Sequence, residues 1–398
     1  MGAAAVRIAR AIGYTNAGTV EFIVGPDGAF YFLEVNTRLQ VEHPVTELVT
    51  GLDLVREQIR IARGEPLGYT QASLSQRGHA IEVRLYAESP ARGFLPSSGT
   101  LVDWDVTPVP GLRVDGGVSA NQEISIHYDP LLAKLITHGE TREEAIDRML
   151  LALGGLSAQG VDTNQRFLGR VLEHPEFRAG RIHTHFIEQH MQEALAETPS
   201  PSLTLEAAVA ATIHDAITQA RGRTVLPSTV PGFRNSPTSE PTTRYIAGDA
   251  TIAVSWRWLD HQRLSIQGSE VRIIRCEGPV VRFEEGGLVR DARVVARGDR
   301  RYVRTHLGAL AIDEVPRFPQ KKEVRATGAA IAPMPGKVVL VAVKVGDTVA
   351  RGATLVVLEA MKMEHTVRAT EDGSVTAVSV ASGDQVQSEQ ALVVVTPA

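Results

Sequence analysis

Glu21, Glu34 and Asn36 carry oxygen atoms at a spacing that could hold a divalent cation. The segments Thr19–Val24 and Phe30–Asn36 read as strands flanking Gly25-Pro26-Asp27-Gly28, a turn signal. A hairpin centred on that turn sets Glu21 opposite Glu34, on a face shared with Thr19, Ile23, Phe32 and Asn36. The other face carries Val20, Phe22, Val24, Tyr31, Leu33 and Val35. Facing carboxylates repel unless something compensates them. Mg²⁺ or Mn²⁺ would, since both favour hard oxygen ligands; the pattern alone leaves a solvated acidic face equally open. Lys362, in Glu359-Ala360-Met361-Lys362-Met363, is a primary amine at a turn, and so a site for acylation. Arg84 falls in a strand over 80–87, on one face with Glu82 and Tyr86, and an ion pair with Glu82 is its plainest reading.

The elements around Lys362 repeat. A shift of 37 positions lays Gly336 on Gly373, Val338 on Val375, Gly346-Asp347 on Gly383-Asp384, and Leu355-Val356-Val357 on Leu392-Val393-Val394. Each half reads as alternating β segments broken by Gly-Asp turns, so the two should form interlocked antiparallel layers. Lys362 lies at their junction, in a hairpin expected to turn the chain from one layer to the other. A lone hairpin lysine is ordinarily just solvated; the repeat and the flanking methionines together argue for modification.

This arrangement resembles the biotinyl domain of biotin-dependent carboxylases, whose Ala-Met-Lys-Met lysine carries biotin. The related lipoyl domain differs, having Asp-Lys-Ala at the turn. A second stretch, from Phe32 through Glu34, Asn36, Arg38, Gln40, Glu42 and His43-Pro44 to Glu47, resembles the signature of biotin carboxylase, an ATP-grasp enzyme. The likeness continues through Gly78-His79-Ala80-Ile81-Glu82-Val83-Arg84 and Phe94-Leu95-Pro96. The resemblance implies that Glu21, Glu34 and Asn36 hold the metal ions bridging the ATP phosphates. It implies that Arg38 clamps bicarbonate with Gln40 and the Val41 backbone, that Glu42 is the base, and that Arg84 stabilises charge on the biotin ureido oxygen. A guanidinium fork suits a planar anion. Partial burial is expected to make Glu42 a better base.

The chain has 398 residues, a formal charge of −5 and one cysteine, Cys276. That length suits several domains. The charge gives no footprint for nucleic acid or an anionic membrane, and no apolar run approaches the roughly 20 residues of a membrane span. A single cysteine excludes an intrachain disulfide and fits a reducing, cytoplasmic setting. The expected fold is multidomain α+β. It comprises a partial ATP-grasp (1–70), a biotin carboxylase C-terminal domain (71–195), a helix-plus-antiparallel-β-barrel domain (200–315), a linker (316–328) and an all-β, flattened-barrel biotinyl domain (329–398). Within it, one helix is expected over 45–62 and a strand over 124–126. A further helix is expected to bury Leu205, Val209, Ile213 and Ile217. His183, His185 and His190 suggest a metal cluster only weakly, and Lys134 reads as structural.

Residues 203–314 are similar to the domain that docks an α subunit on a carboxyltransferase β subunit, with Gly232-Phe233-Arg234-Asn235 suggestive. A carboxyltransferase barrel of about 250 residues would not fit between the two recognised regions, which argues against pyruvate carboxylase. The family's glycine-rich flap and phosphate-binding lysines are unmatched, so the chain is expected to be an N-terminally truncated α subunit of an acyl-CoA carboxylase, inactive alone. Biotin on Lys362, ATP, Mg²⁺ or Mn²⁺, bicarbonate and acyl-CoA, a carboxyltransferase β subunit, a biotin protein ligase and a hetero-oligomer all follow from that expectation. The alternative is a non-catalytic biotin carrier with a docking domain and a vestigial carboxylase remnant.

Overall fold

The computed structural model describes residues 1–195, 198–226, 229, 240–318, 329–361 and 363–397. It opens with helix α1 (Gly2–Ala11), which finds little cover: Val6 and, just past its end, Ile12 remain exposed. Strands β1 (Thr19–Val24) and β2 (Phe30–Asn36) pair antiparallel, with Glu21 opposite Glu34 as expected. Beyond Glu21 the register slips, so Phe22 faces Phe32 rather than Leu33. The turn causes the slip. Gly25 N–H bonds Ala29 O, closing a three-residue loop with Gly28 left-handed at φ 78°, and a bulge must reconcile that loop with the carboxylate pairing. Phe22 then stacks edge-on against Phe30 and Phe32.

The single helix expected over 45–62 is two: α2 (His43–Thr50) and α3 (Leu54–Ala62). Gly51 ends α2 at φ 75°, and the Asp53 carboxylate caps α3 by accepting from Arg56 N–H at 2.8 Å.

A three-stranded antiparallel sheet follows, with β5 (Leu131–Gly139) between β3 (His79–Tyr86) and β4 (Leu112–Gly116). Alternation decides β3: Ile81, Val83 and Leu85 are buried against α4 (Arg142–Gly154), leaving Glu82, Arg84 and Tyr86 on the other face. The strand expected over 124–126 is Gln122–Ile124. His174, His183, Phe186 and His190 form a ring-stacked cluster. Among the described residues no group of three His, Cys, Asp or Glu side chains is placed to bind a metal.

Helix α5 (Pro201–Arg221) packs in a closed eight-stranded antiparallel barrel running from Thr242–Ala247 to Gly308–Glu314. Ile213 and Ile217 are buried as expected, but Leu205 is exposed. The barrel wraps α5 so closely that the core takes Ala207, Ala208, Ala210 and Ala211, and small residues replace a single large apolar stripe. The expected signal at 232–235 lies outside the described residues, as does most of the tether.

The 37-residue repeat is structural. Gly336–Val341, Thr348–Val349 and Thr354–Ala360 recur as Gly373–Val378, Gln385–Val386 and Ala391–Pro397. Asp347 and Asp384 make the same turn, each accepting a backbone N–H three residues earlier at 2.8 Å. The lysine hairpin, however, does not cross between layers. Thr354–Ala360 and Met363–Arg368 are neighbours in one four-stranded sheet, because a two-residue connection can join only adjacent antiparallel strands. Lys362 itself lies outside the described residues; Ala360 pairs with Met363 on either side of it.

Candidate functional site

Two polar groups flank the segment 38–42, one on the hairpin before it and one on the β3–β5 sheet. Asn36 Nδ2 donates to Glu21 Oε1 at 2.7 Å and to Glu34 Oε1 at 3.1 Å, so the two carboxylates converge on one point. Gln40 Nε2 is a second donor to Glu21 Oε1, at 2.9 Å. Asn36 Oδ1 accepts from Arg38 at 3.4 Å. Two convergent carboxylates and an amide that can present its oxygen by a half-turn fit a hard divalent cation.

Glu42 stands just before α2 and accepts from Arg84 Nη2 at 2.7 Å, across 42 residues of sequence. Arg84 is therefore not paired with Glu82. Glu42 is 52% exposed, so the burial expected for it is not found, and its partner is a guanidinium instead.

Two residues gain importance that their sequence positions did not suggest. Lys134 faces Arg84 across β5–β3 and Asp115 across β5–β4. Its ammonium donates to Val41 O at 2.9 Å and lies 3.4 Å from Asp115. Asp115 is gripped by Arg113, which holds its carboxyl below the usual range, and Arg113 also binds the buried Glu47 of α2 at 2.6 Å. The C-terminal end of the loop 38–42 and the helix α2 that follows it are thus tied to the sheet. Glu82 is the second: both its carboxylate oxygens are buried without hydrogen-bond partners. Burial pushes its carboxyl up to about 7, against the pull of Lys134 and Arg84 and with the push of Glu42 and Asp115. Asn164 fixes the strand beneath, accepting from Tyr86 N–H at 3.0 Å and donating to Arg84 O at 3.1 Å. The alternation of β3 could have flagged Glu82; no local pattern marks Lys134.

Three family models match. Residues 1–70 match the carbamoyl-phosphate synthase L chain ATP-binding domain, 82–189 the biotin carboxylase C-terminal domain, and 330–395 the biotin-requiring enzyme domain. The chain is 36% identical to the mitochondrial methylcrotonoyl-CoA carboxylase subunit alpha of Arabidopsis thaliana, over 98% of this chain and 60% of that protein. It is also 36% identical to the propionyl-CoA carboxylase alpha chain of Ruegeria pomeroyi, over 96% of this chain and 61% of that one. This chain is homologous to acyl-CoA carboxylase alpha subunits. It spans about 60% of the length of the curated relatives it matches. The biotin carboxylase domain of Hydrogenobacter thermophilus 2-oxoglutarate carboxylase is 43% identical over 50% of this chain and 44% of that one, with a TM-score of 0.48. Read as a carboxylase homologue, the chain joins an ATP-grasp segment and a biotin carboxylase C-terminal domain to a helix-filled barrel and a biotinyl domain. No helix among the described residues is long and apolar enough to cross a membrane.

Proposed function

We propose that this chain works as the alpha subunit of a biotin-dependent acyl-CoA carboxylase, in which biotin on Lys362 is carboxylated at the expense of ATP and bicarbonate. A partner carboxyltransferase beta subunit then passes the carboxyl group to an acyl-CoA. The observation that carries the reading is the Arg84–Glu42 contact at 2.7 Å, which joins the group assigned to the biotin ring to the group assigned as bicarbonate base. In this reading Arg38, Gln40 and the Val41 backbone bind bicarbonate. Arg84 leaves Glu42 when the anion enters, freeing the carboxylate to take its proton and the guanidinium to face charge on the ureido oxygen. Glu21, Glu34 and Asn36 would hold Mg²⁺ or Mn²⁺, which would supply positive charge against the phosphates.

Domain boundaries near residues 70, 195–200, 315 and 328 follow from the same reading. So do the biotin protein ligase that would load Lys362, a hetero-oligomeric assembly and a cytoplasmic setting. The relatives, named as carboxylase subunits, favour this over a carrier with a vestigial remnant. The deciding experiment is co-expression of the chain with a biotin ligase and capture on streptavidin. The parent should be captured and Lys362→Arg should not, because arginine offers no acylable amine. Equal capture of both would remove Lys362 from the mechanism.

A further inference from the structure

The residue that precedes the biotinyl lysine does not pack within its own domain. Met361 is 4% exposed and belongs to the apolar cluster of the carboxylase C-terminal domain, with Leu85, Ile124 and Leu132. Its backbone N–H donates to Ile126 O at 2.9 Å. Its backbone is left-handed, at φ 48°, as the two-residue turn between Ala360 and Met363 favours. Met363, on the other side of the hairpin, is 50% exposed. The two methionines are therefore not equivalent: one is inserted into the neighbouring domain and the other faces solvent.

We infer that the loop 125–130 and the apolar cluster beneath it form a seat for the carrier hairpin, with Met361 as the plug. The position of the seat gives it a purpose. Pro130 O accepts from Ala87 N–H at 2.8 Å, and Leu131 pairs with Tyr86. The loop thus runs directly into the strand pair that bears Arg84 and Lys134, three residues further along, or about 10 Å. The seated hairpin rests at the end of that pair. The chemistry suits reversible docking. Methionine is unbranched and adapts to irregular apolar gaps, while the one inserted side chain and one backbone hydrogen bond seen among the described residues make a far smaller contact than a permanent interface needs. Tethering in one chain supplies the remaining drive as effective concentration.

Naming the charging site as the neighbour of the seat rests on the function proposed above. The tests do not, since neither needs biotin or turnover. In the full chain, Ile126→Cys with Met361→Cys should form an intrachain disulfide on mild oxidation roughly tenfold faster than Ile126→Cys with Val345→Cys, given the contact-enforced local concentration. The native Cys276 is buried and does not compete. Equal rates, or disulfide-linked dimers instead, would overturn the seat. In the parent chain, peroxide should convert Met361 to sulfoxide roughly fivefold more slowly than Met363, because oxidation follows exposure. Ile126→Glu should remove most of that difference by setting a charge beside the plug. Equal oxidation of the two methionines in the parent chain would also overturn it.

Discussion

At the scale of single residues, the site is a balance of charges in which Glu82 is the uncompensated member. Its carboxyl is pushed up to about 7 by burial, above an ordinary value of about 4.3. The folded chain therefore keeps a proton that the unfolded chain has already released across that window. Stability falls as pH rises from about 4.3 to about 7, and then levels off. Glu82→Gln cannot ionise, so relative to the parent it should gain up to about 3 kcal/mol between pH 5 and pH 8. Urea unfolding of the carboxylase lobe, the region matched over residues 82–189, at the two pH values measures the difference. A pH-independent offset would mean that Glu82 is ionised in the fold. Sequence spacing makes legible the side chains whose neighbours lie close in the chain. Glu21, Glu34 and Asn36 were brought together by a turn of a few residues. Spacing is silent on Lys134 and on the partner of Arg84, because Lys134 reaches Val41 across 93 residues and Arg84 reaches Glu42 across 42.

At the scale of elements, periodicity located most strands and helices, and the departures have local steric causes. The bulge after Glu21 arises from a three-residue loop, whose closing hydrogen bond is not written in the hydrophobic pattern. The break in the expected 45–62 helix was visible as Gly51 and Asp53, but the apolar spacing ran through both. Glycines show how finely packing reads an element. A Cβ at Gly373 would lie 2.3 Å from Thr396 O, across the paired strand, and one at the equivalent Gly336 would lie 2.8 Å from Glu359 O. The repeat therefore keeps a glycine at both positions because a backbone passes there. Gly169, inside the helix Gln165–Glu173, has nothing within 4 Å of its added Cβ. Gly373→Ala should destabilise the carrier domain by about 1–3 kcal/mol, whereas Gly169→Ala should stabilise its helix by about 0.5–1 kcal/mol. Thermal unfolding followed by hydrogen exchange separates the two domains. Equal shifts for the two variants would rule out the backbone contact as the cause.

At the scale of the whole molecule, the carboxylase lobe and the helix-filled barrel are held together by charges that no local spacing could reveal. Arg293 of the barrel binds Asp103 of the lobe through two hydrogen bonds, at 2.7 and 2.8 Å, across 190 residues. Asp103 is 2% exposed and also accepts from Ser157 at 2.5 Å. Arg304 reaches Asp105 at 3.4 Å, and Arg297 reaches Asn121 at 2.6 Å. A buried ion pair gains little over apolar groups of the same shape, but breaking one side of it leaves a charge stranded. Arg293→Met should therefore weaken docking of the barrel by about 3–5 kcal/mol. Calorimetry should then resolve separate transitions for lobe and barrel, and small-angle scattering should show a larger radius of gyration. The double variant Asp103→Leu/Arg293→Met removes both charges, and should recover much of the loss and the compact scattering profile. If the single variant keeps the parent's transitions and dimensions, the barrel is held by its apolar contacts, and the arginines serve only to orient it. If the double variant is as loose as the single one, the pair itself contributes the docking energy, and the stranded charge is not the cause.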